Sequence, residues 1–232
     1  MDDNVSRLVG AADGFELLSR TFEFPDASFA DALKSGSWQA DAFGCLESMG
    51  KGPSIETRTA ASRLSDLVMG IPNVLDALRR EYSLLYLAPG CEKPVFPYES
   101  AFLYRREGRS GVPALFRSPT AMAVENQMRQ AGVLPVDART EPVDSFWNEA
   151  AFLAFMLGKS AQGAFEGSSV EEKGTREQAL CFTRDHAERW FDDFLSDTIS
   201  QSENLSGKAL YAAIADACRE LCRCALDIAA RR

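Results

Sequence analysis

The apolar residues of this chain recur at intervals of three and four almost from end to end, and no stretch alternates with the period of two that a half-buried strand requires. That spacing predicts an all-α fold, a helical bundle forming a single domain over residues 1–232, with a hydrophobic content of 46% that is ample for a buried core. From Asn4 to Phe22 the residues Val5, Leu8, Ala12, Phe15, Leu18 and Phe22 fall on one helical face, and Pro25 closes the segment. Asp26 and Ser28 are candidate caps for a short helix ended by Gly36. Ser37 is the candidate cap for a segment stopping near Gly50, and Ser54 for one running to Met69. A further helix is expected from about Asn73 to Leu87, with Tyr82 and Tyr86 four apart and therefore on one face.

The regular pattern breaks inside Glu81–Phe102. Residues 88–97 hold Pro89, Gly90, Pro94 and Pro97, and proline lacks the amide proton that a helix interior needs. A rigid loop is expected here, with Phe96 and Tyr98 either anchoring it to a neighbouring helix or presented to a ligand. Arg105–Gly111 reads as a surface connection. Ser118-Pro119 is a helix start with Gly132 as its stop, and Leu134–Glu141 reads as a loop. Pro142 and Asp144 open a helix that is apolar nearly all round, through Phe146, Trp147, Leu153 and Leu157, which belongs at the centre. Residues 162–174, rich in glycine, serine and charge, read as a linker and possible hinge. Thr175-x-x-Gln178 fits a capping box for a helix carrying Leu180 through Phe194, and a closing helix is expected after Ser206.

The 25 basic and 34 acidic residues give a formal charge of −9, which disfavours nucleic acid or an anionic membrane as the main partner and suits a basic one. The start MDDNVSR lacks the charged and apolar regions of a secretory signal, so a cytoplasmic location is expected. The cysteines 45, 91, 181, 218, 222 and 224 are then expected to be reduced thiols, and Cys218-x3-Cys222-x-Cys224 has no matching half-site for zinc. His186 is the only histidine, and Cys181 lies well round the helix from it. Nucleophilic triads and multi-histidine metal sites are therefore disfavoured, and a packing or capping role is expected for His186. No phosphate loop or Rossmann turn is present. No enzyme activity, metal or cofactor is expected.

Three groups of residues carry a family resemblance. They are Tyr82-x-x-Leu85-Tyr86 with Pro89-Gly90 and Pro97-Tyr98-Glu99-Ser100; Pro142-Val143-Asp144-Ser145 with Glu149 and Phe152; and Phe182, His186, Trp190 and Phe194. In this order, over about Arg7 to Tyr211, the chain resembles the TorD/DmsD family of cytoplasmic redox-enzyme maturation chaperones. The resemblance implies a chaperone that binds the N-terminal twin-arginine signal peptide of an apo-molybdoenzyme catalytic subunit, as monomer or homodimer, until molybdenum cofactor is inserted. It maps signal-peptide binding onto Tyr82, Leu85, Tyr86, Pro97, Tyr98, Glu99 and Asp144, with Asp144 and Glu99 facing the arginines. Ser145 stands where the family often has histidine. A NarJ-type chaperone of a non-exported molybdoenzyme is the sister reading, and a helical enzyme with a site near Tyr98 and His186 the competing one.

Overall fold

The computed structural model describes residues 3–88, 94–136, 141–205, 207 and 209–231. Helix α1 (Asp3–Phe22) is followed by α2 (Ala27–Ser35), α3 (Ser37–Ser48), α4 (Ile55–Met69), α5 (Val74–Tyr86) and α6 (Glu99–Arg106). Then come α7 (Pro119–Gln130), α8 (Phe146–Glu166), α9 (Ser169–Asp185), a 3-10 turn (Ala187–Arg189), α10 (Phe191–Asn204) and α11 (Leu210–Ala229). The fold is all-α, and no strand occurs among the described residues. One cluster of buried apolar side chains takes in residues from Leu8 of α1 to Ala229 of α11. Among the described residues no helix is long and apolar enough to cross a membrane.

Local chemistry sets several helix starts. The Asp26 carboxylate accepts from Phe29 N at 2.8 Å, Ser54 from Thr57 N at 3.2 Å, and Ser118 from Ala121 N at 3.0 Å with Pro119 at the first helical position. Gly36 alone separates α2 from α3 and takes the capping position expected of Ser37. Helix α1 runs between α3, α8 and α11. Its glycines permit this: a Cβ at Gly10 would stand 2.7 Å from Ser48 Cβ and 2.9 Å from the Cys45 carbonyl oxygen, and one at Gly14 would stand 3.1 Å from Leu221.

Three expectations are corrected. The sequence does not predict the helix Glu99–Arg106, which starts two residues after Pro97 and takes in Arg105, expected in a surface connection; Pro89, Gly90 and Cys91 lie outside the described residues. Residues 162–174 do not form a linker. Helix α8 continues to Glu166, Gly167 turns the chain at φ 72°, and α9 begins at Ser169. The glycines that suggested flexibility serve packing and turning, since a Cβ at Gly163 would stand 3.0 Å from Glu172 N. Thr175 consequently lies inside α9, its hydroxyl donating to Glu172 O at 3.1 Å, and the single helix expected from there through Phe194 is broken at His186. The Ser206 start of the closing helix lies outside the described residues.

Helix α11 has no side-chain cap of its own and starts from Ala209 at φ 54°. Glu81 of α5 supplies the cap from across the fold, its Oε2 accepting from Leu210 N at 3.0 Å and its Oε1 from Tyr211 N at 2.9 Å.

The close approach of α1 makes a testable contrast between two helical glycines. Gly10→Ala is expected to cost about 1–3 kcal/mol by overpacking against the backbone of α3. Gly44→Ala, with nothing within 4 Å of the new methyl, is expected to gain up to about 1 kcal/mol from helix propensity. Urea denaturation of both variants checks this, and equal shifts would remove the packing argument.

Candidate functional site

The two proline-containing motifs meet as a short backbone clasp. Phe146 N donates to Pro97 O at 3.0 Å and Glu99 N to Asp144 O at 2.8 Å, which makes Tyr98 and Ser145 an isolated antiparallel bridge. Pro97 suits this position because its carbonyl can accept although it has no N–H to give. Each segment also starts a helix. Tyr98, at the N-cap of α6, offers no side-chain cap, and the Asp144 carboxylate accepts from Ser100 N at 2.9 Å in its place. Ser145 caps α8 by accepting from Asn148 N at 3.2 Å, so the helix starts one to three residues later than Pro142 and Asp144 suggested.

Behind the clasp lie three buried carboxyl groups, Glu99, Asp144 and Glu149, each 0% exposed. Glu99 Oε2 is 2.7 Å from His186 Nδ1, and its Oε1 accepts from Arg189 Nη1 at 3.3 Å. Glu149 accepts from Trp190 Nε1 at 3.0 Å. Burial, followed by the Glu99 charge, pushes the Glu149 carboxyl well above the usual range, against the opposing pull of the Trp190 hydrogen bond. Burial also raises Asp144, opposed by its bonds from Ser100, with Glu99 adding to the rise. Basic side chains thus reach Glu99, whereas the polar partners of Asp144 and Glu149 are the Ser100 amide and the Trp190 indole.

The break after α9 makes this arrangement. His186 N donates to Phe182 O at 3.0 Å, closing α9, and the imidazole packs on the Phe182 ring at 4.9 Å between centroids. The 3-10 turn then turns Arg189 and Trp190 toward α6 and α8. His186 thus has the packing and capping role expected of it, together with the Glu99 bond that the sequence did not disclose.

The seven residues singled out from the sequence are all buried. Pro97, Tyr98, Glu99 and Asp144 are brought together in the clasp. Tyr98 stacks edge-on to Trp147 at 6.0 Å. Tyr82 and Tyr86 do share a face, with rings 4.8 Å apart, and both meet Tyr211 at 5.8 Å in an aromatic core that also holds Leu85. The Tyr82 hydroxyl donates to Phe22 O at 3.2 Å, and that of Tyr86 bonds Thr198 Oγ1 at 3.0 Å. The positions of Asp144 and Glu99 differ from the expectation of carboxylates reachable by a peptide. One is occupied by the first turn of α6 and the other by the protein's own histidine and arginine. Phe96 is likewise buried, with the Arg105 guanidinium 5.8 Å above its ring. Arg189 carried no signal in the sequence; its role comes from the helix break. The acidic pair Asp192-Asp193 is ion-paired at the surface, Asp192 with Arg223 at 2.9 Å and Asp193 with Arg106.

The sequence model of the family described as nitrate reductase delta subunit matches residues 53–196, a span that contains the clasp and its buried carboxyls. No curated protein matches the chain. The chain belongs to the nitrate reductase delta subunit family, whose members are chaperones of redox-enzyme maturation. The protein is accordingly a molybdoenzyme maturation chaperone.

A pH dependence follows from Glu149. A carboxyl whose folded-state pKa is raised holds its proton more tightly in the folded chain, so its stabilisation is complete below the ordinary value of 4.5 and is lost as pH rises through the folded-state value. Urea unfolding from about pH 5 upward is expected to show a decline in wild-type stability that is shallower in Glu149→Gln, which keeps a carbonyl for Trp190. Parallel curves would contradict the raised value.

Proposed function

We propose that this chaperone binds the N-terminal twin-arginine signal peptide of a molybdoenzyme catalytic subunit in the cytoplasm and holds the apo-enzyme until molybdenum cofactor is inserted, before export. The observation that carries the reading is the family match across residues 53–196, the stretch holding both proline motifs. Charge supports it: a chain of −9 suits a client segment bearing arginines. In this reading Tyr82, Leu85, Tyr86, Pro97, Tyr98, Glu99 and Asp144 act from beneath the surface. They fix the relative placement of α5, α6 and α8, on which the peptide-binding face is built.

The description of the matching family favours a second reading. A chaperone of the NarJ kind serves a molybdoenzyme that stays in the cytoplasm, and its client peptide needs no arginine pair. Both readings predict a protein client and no turnover of a small molecule.

Capture on the full chain from its native cytosol, with bound proteins identified by mass spectrometry, is expected to return a molybdoenzyme catalytic subunit lacking its cofactor. A titration of that subunit's leader peptide then separates the two readings. Loss of binding when the arginine pair is changed to glutamine supports the exported client, and unchanged binding supports the NarJ kind. Capture of no molybdoenzyme would overturn both.

A further inference from the structure

The surface beside the clasp carries a groove with two chemically distinct halves. Between the end of α7, residues 133–135 and α8 lies an apolar slot of about 190 Å3, lined by Met128, Leu134, Pro135, Phe152 and Phe155. Leu134 is 36% exposed and Phe155 39%, so the slot opens to solvent with apolar walls. Phe152 also lines a wider hollow of about 600 Å3 between α7, α8 and α9, so the two hollows adjoin at this side chain. The wider half is polar and acidic. Glu177 and Asp185 line it with glutamines and Cys181, and no lysine or arginine does.

We propose that this groove binds a peptide segment of the client in which a bulky apolar side chain lies beside an arginine or lysine. The inference rests on the reading that the client is held through a peptide, and it adds the place and the orientation. The slot has room for one branched apolar side chain. Among the described residues neither Glu177 nor Asp185 is held in an ion pair, so both charges are available to a cation from outside. Beside the slot, the Lys159 ammonium stands 5.6 Å from the Phe155 ring, a charge that repels a basic residue. Charge complementarity directs the peptide's cation toward Glu177 and Asp185 in the wider half.

The groove is also tied to the clasp. Asn148, in the first turn of α8, lines the slot and donates from Nδ2 to Pro142 O at 3.2 Å. Gln127 Nε2 donates to Asp185 at 3.0 Å and lies 3.3 Å from His186 Nε2, the ring that holds Glu99. A clasp buried from solvent can in this way fix the walls of a binding face it does not itself form.

The test uses the full chain and a synthetic peptide in which an arginine pair precedes a run of leucines. Affinity is measured by calorimetry, and maleimide modification of the exposed Cys181 is followed by mass spectrometry. Leu134→Asp and Glu177→Lys lie on exposed positions, and thermal melts confirm that each remains folded. Each is expected to weaken the peptide about tenfold, the second more at low salt than at high. Bound peptide is expected to protect Cys181. Peptide that binds wild type, leaves Cys181 equally reactive and binds both variants unchanged would overturn the groove and leave the chaperone's peptide-binding function standing. Absence of binding to wild type would overturn the twin-arginine reading and the groove with it.

Discussion

A carboxylate with no exposed surface has to be met by cations or hydrogen-bond donors, and the region from α6 to α10 is arranged around meeting that need for Glu99. Its two oxygens take His186 and Arg189, which come from a five-residue interruption between two helices that would otherwise run on as one. The interruption in turn delivers Trp190 to Glu149, and Glu149 belongs to the first turn of α8. Buried polar contacts of this kind are a weak source of net stability, because desolvation offsets much of the attraction, but removing one partner leaves a buried oxygen of Glu99 unsatisfied. Its consequence is positional: the bonds to Glu99 and the Trp190–Glu149 bond together fix the mutual arrangement of α6, α8 and the start of α10.

The same device recurs elsewhere. Helix N-termini leave amide protons without partners, and several here are satisfied by carboxylates distant in sequence. Asp144 caps α6, Glu81 caps α11, and Glu220 of α11 accepts from Ser54 N at 2.9 Å and from the Thr57 hydroxyl at 2.6 Å at the start of α4. At the other polarity, Arg176 donates to Ile228 O near the C-terminus of α11. Part of the chain's acidic excess is thus spent on holding helices to one another, and its surface charge is correspondingly less informative about partners than the formal −9 suggests.

Helices with an apolar stripe and a local cap were legible from the sequence, as α2, α4 and α7 illustrate. Elements decided by tertiary contact were not. Helix α6 follows a proline run and takes its cap from Asp144, 44 residues away from Ser100. The first half of α9 is built from residues typical of loops and is fixed by the approach of Gly163 to Glu172. The break at His186 has no proline or glycine to announce it; it is set by partners 87 and 41 residues distant. The candidate site divides in the same way. Its members were visible through family resemblance, whereas their burial was not, since Asp144 and Glu99 carry the composition of surface residues until their partners are known. The groove left no motif because its apolar and acidic halves come from different helices.

The motif residues of the clasp are buried and bonded to groups of the fold itself. The account depends most on the coupling of Glu99 to His186, and a double-mutant cycle of Glu99→Gln, His186→Ala and the double variant by urea denaturation measures it directly. The expected result is a loss of about 3 kcal/mol in His186→Ala, little added loss in the double variant, and a coupling energy of at least about 2 kcal/mol. Single effects that add to within about 0.5 kcal/mol would contradict the account.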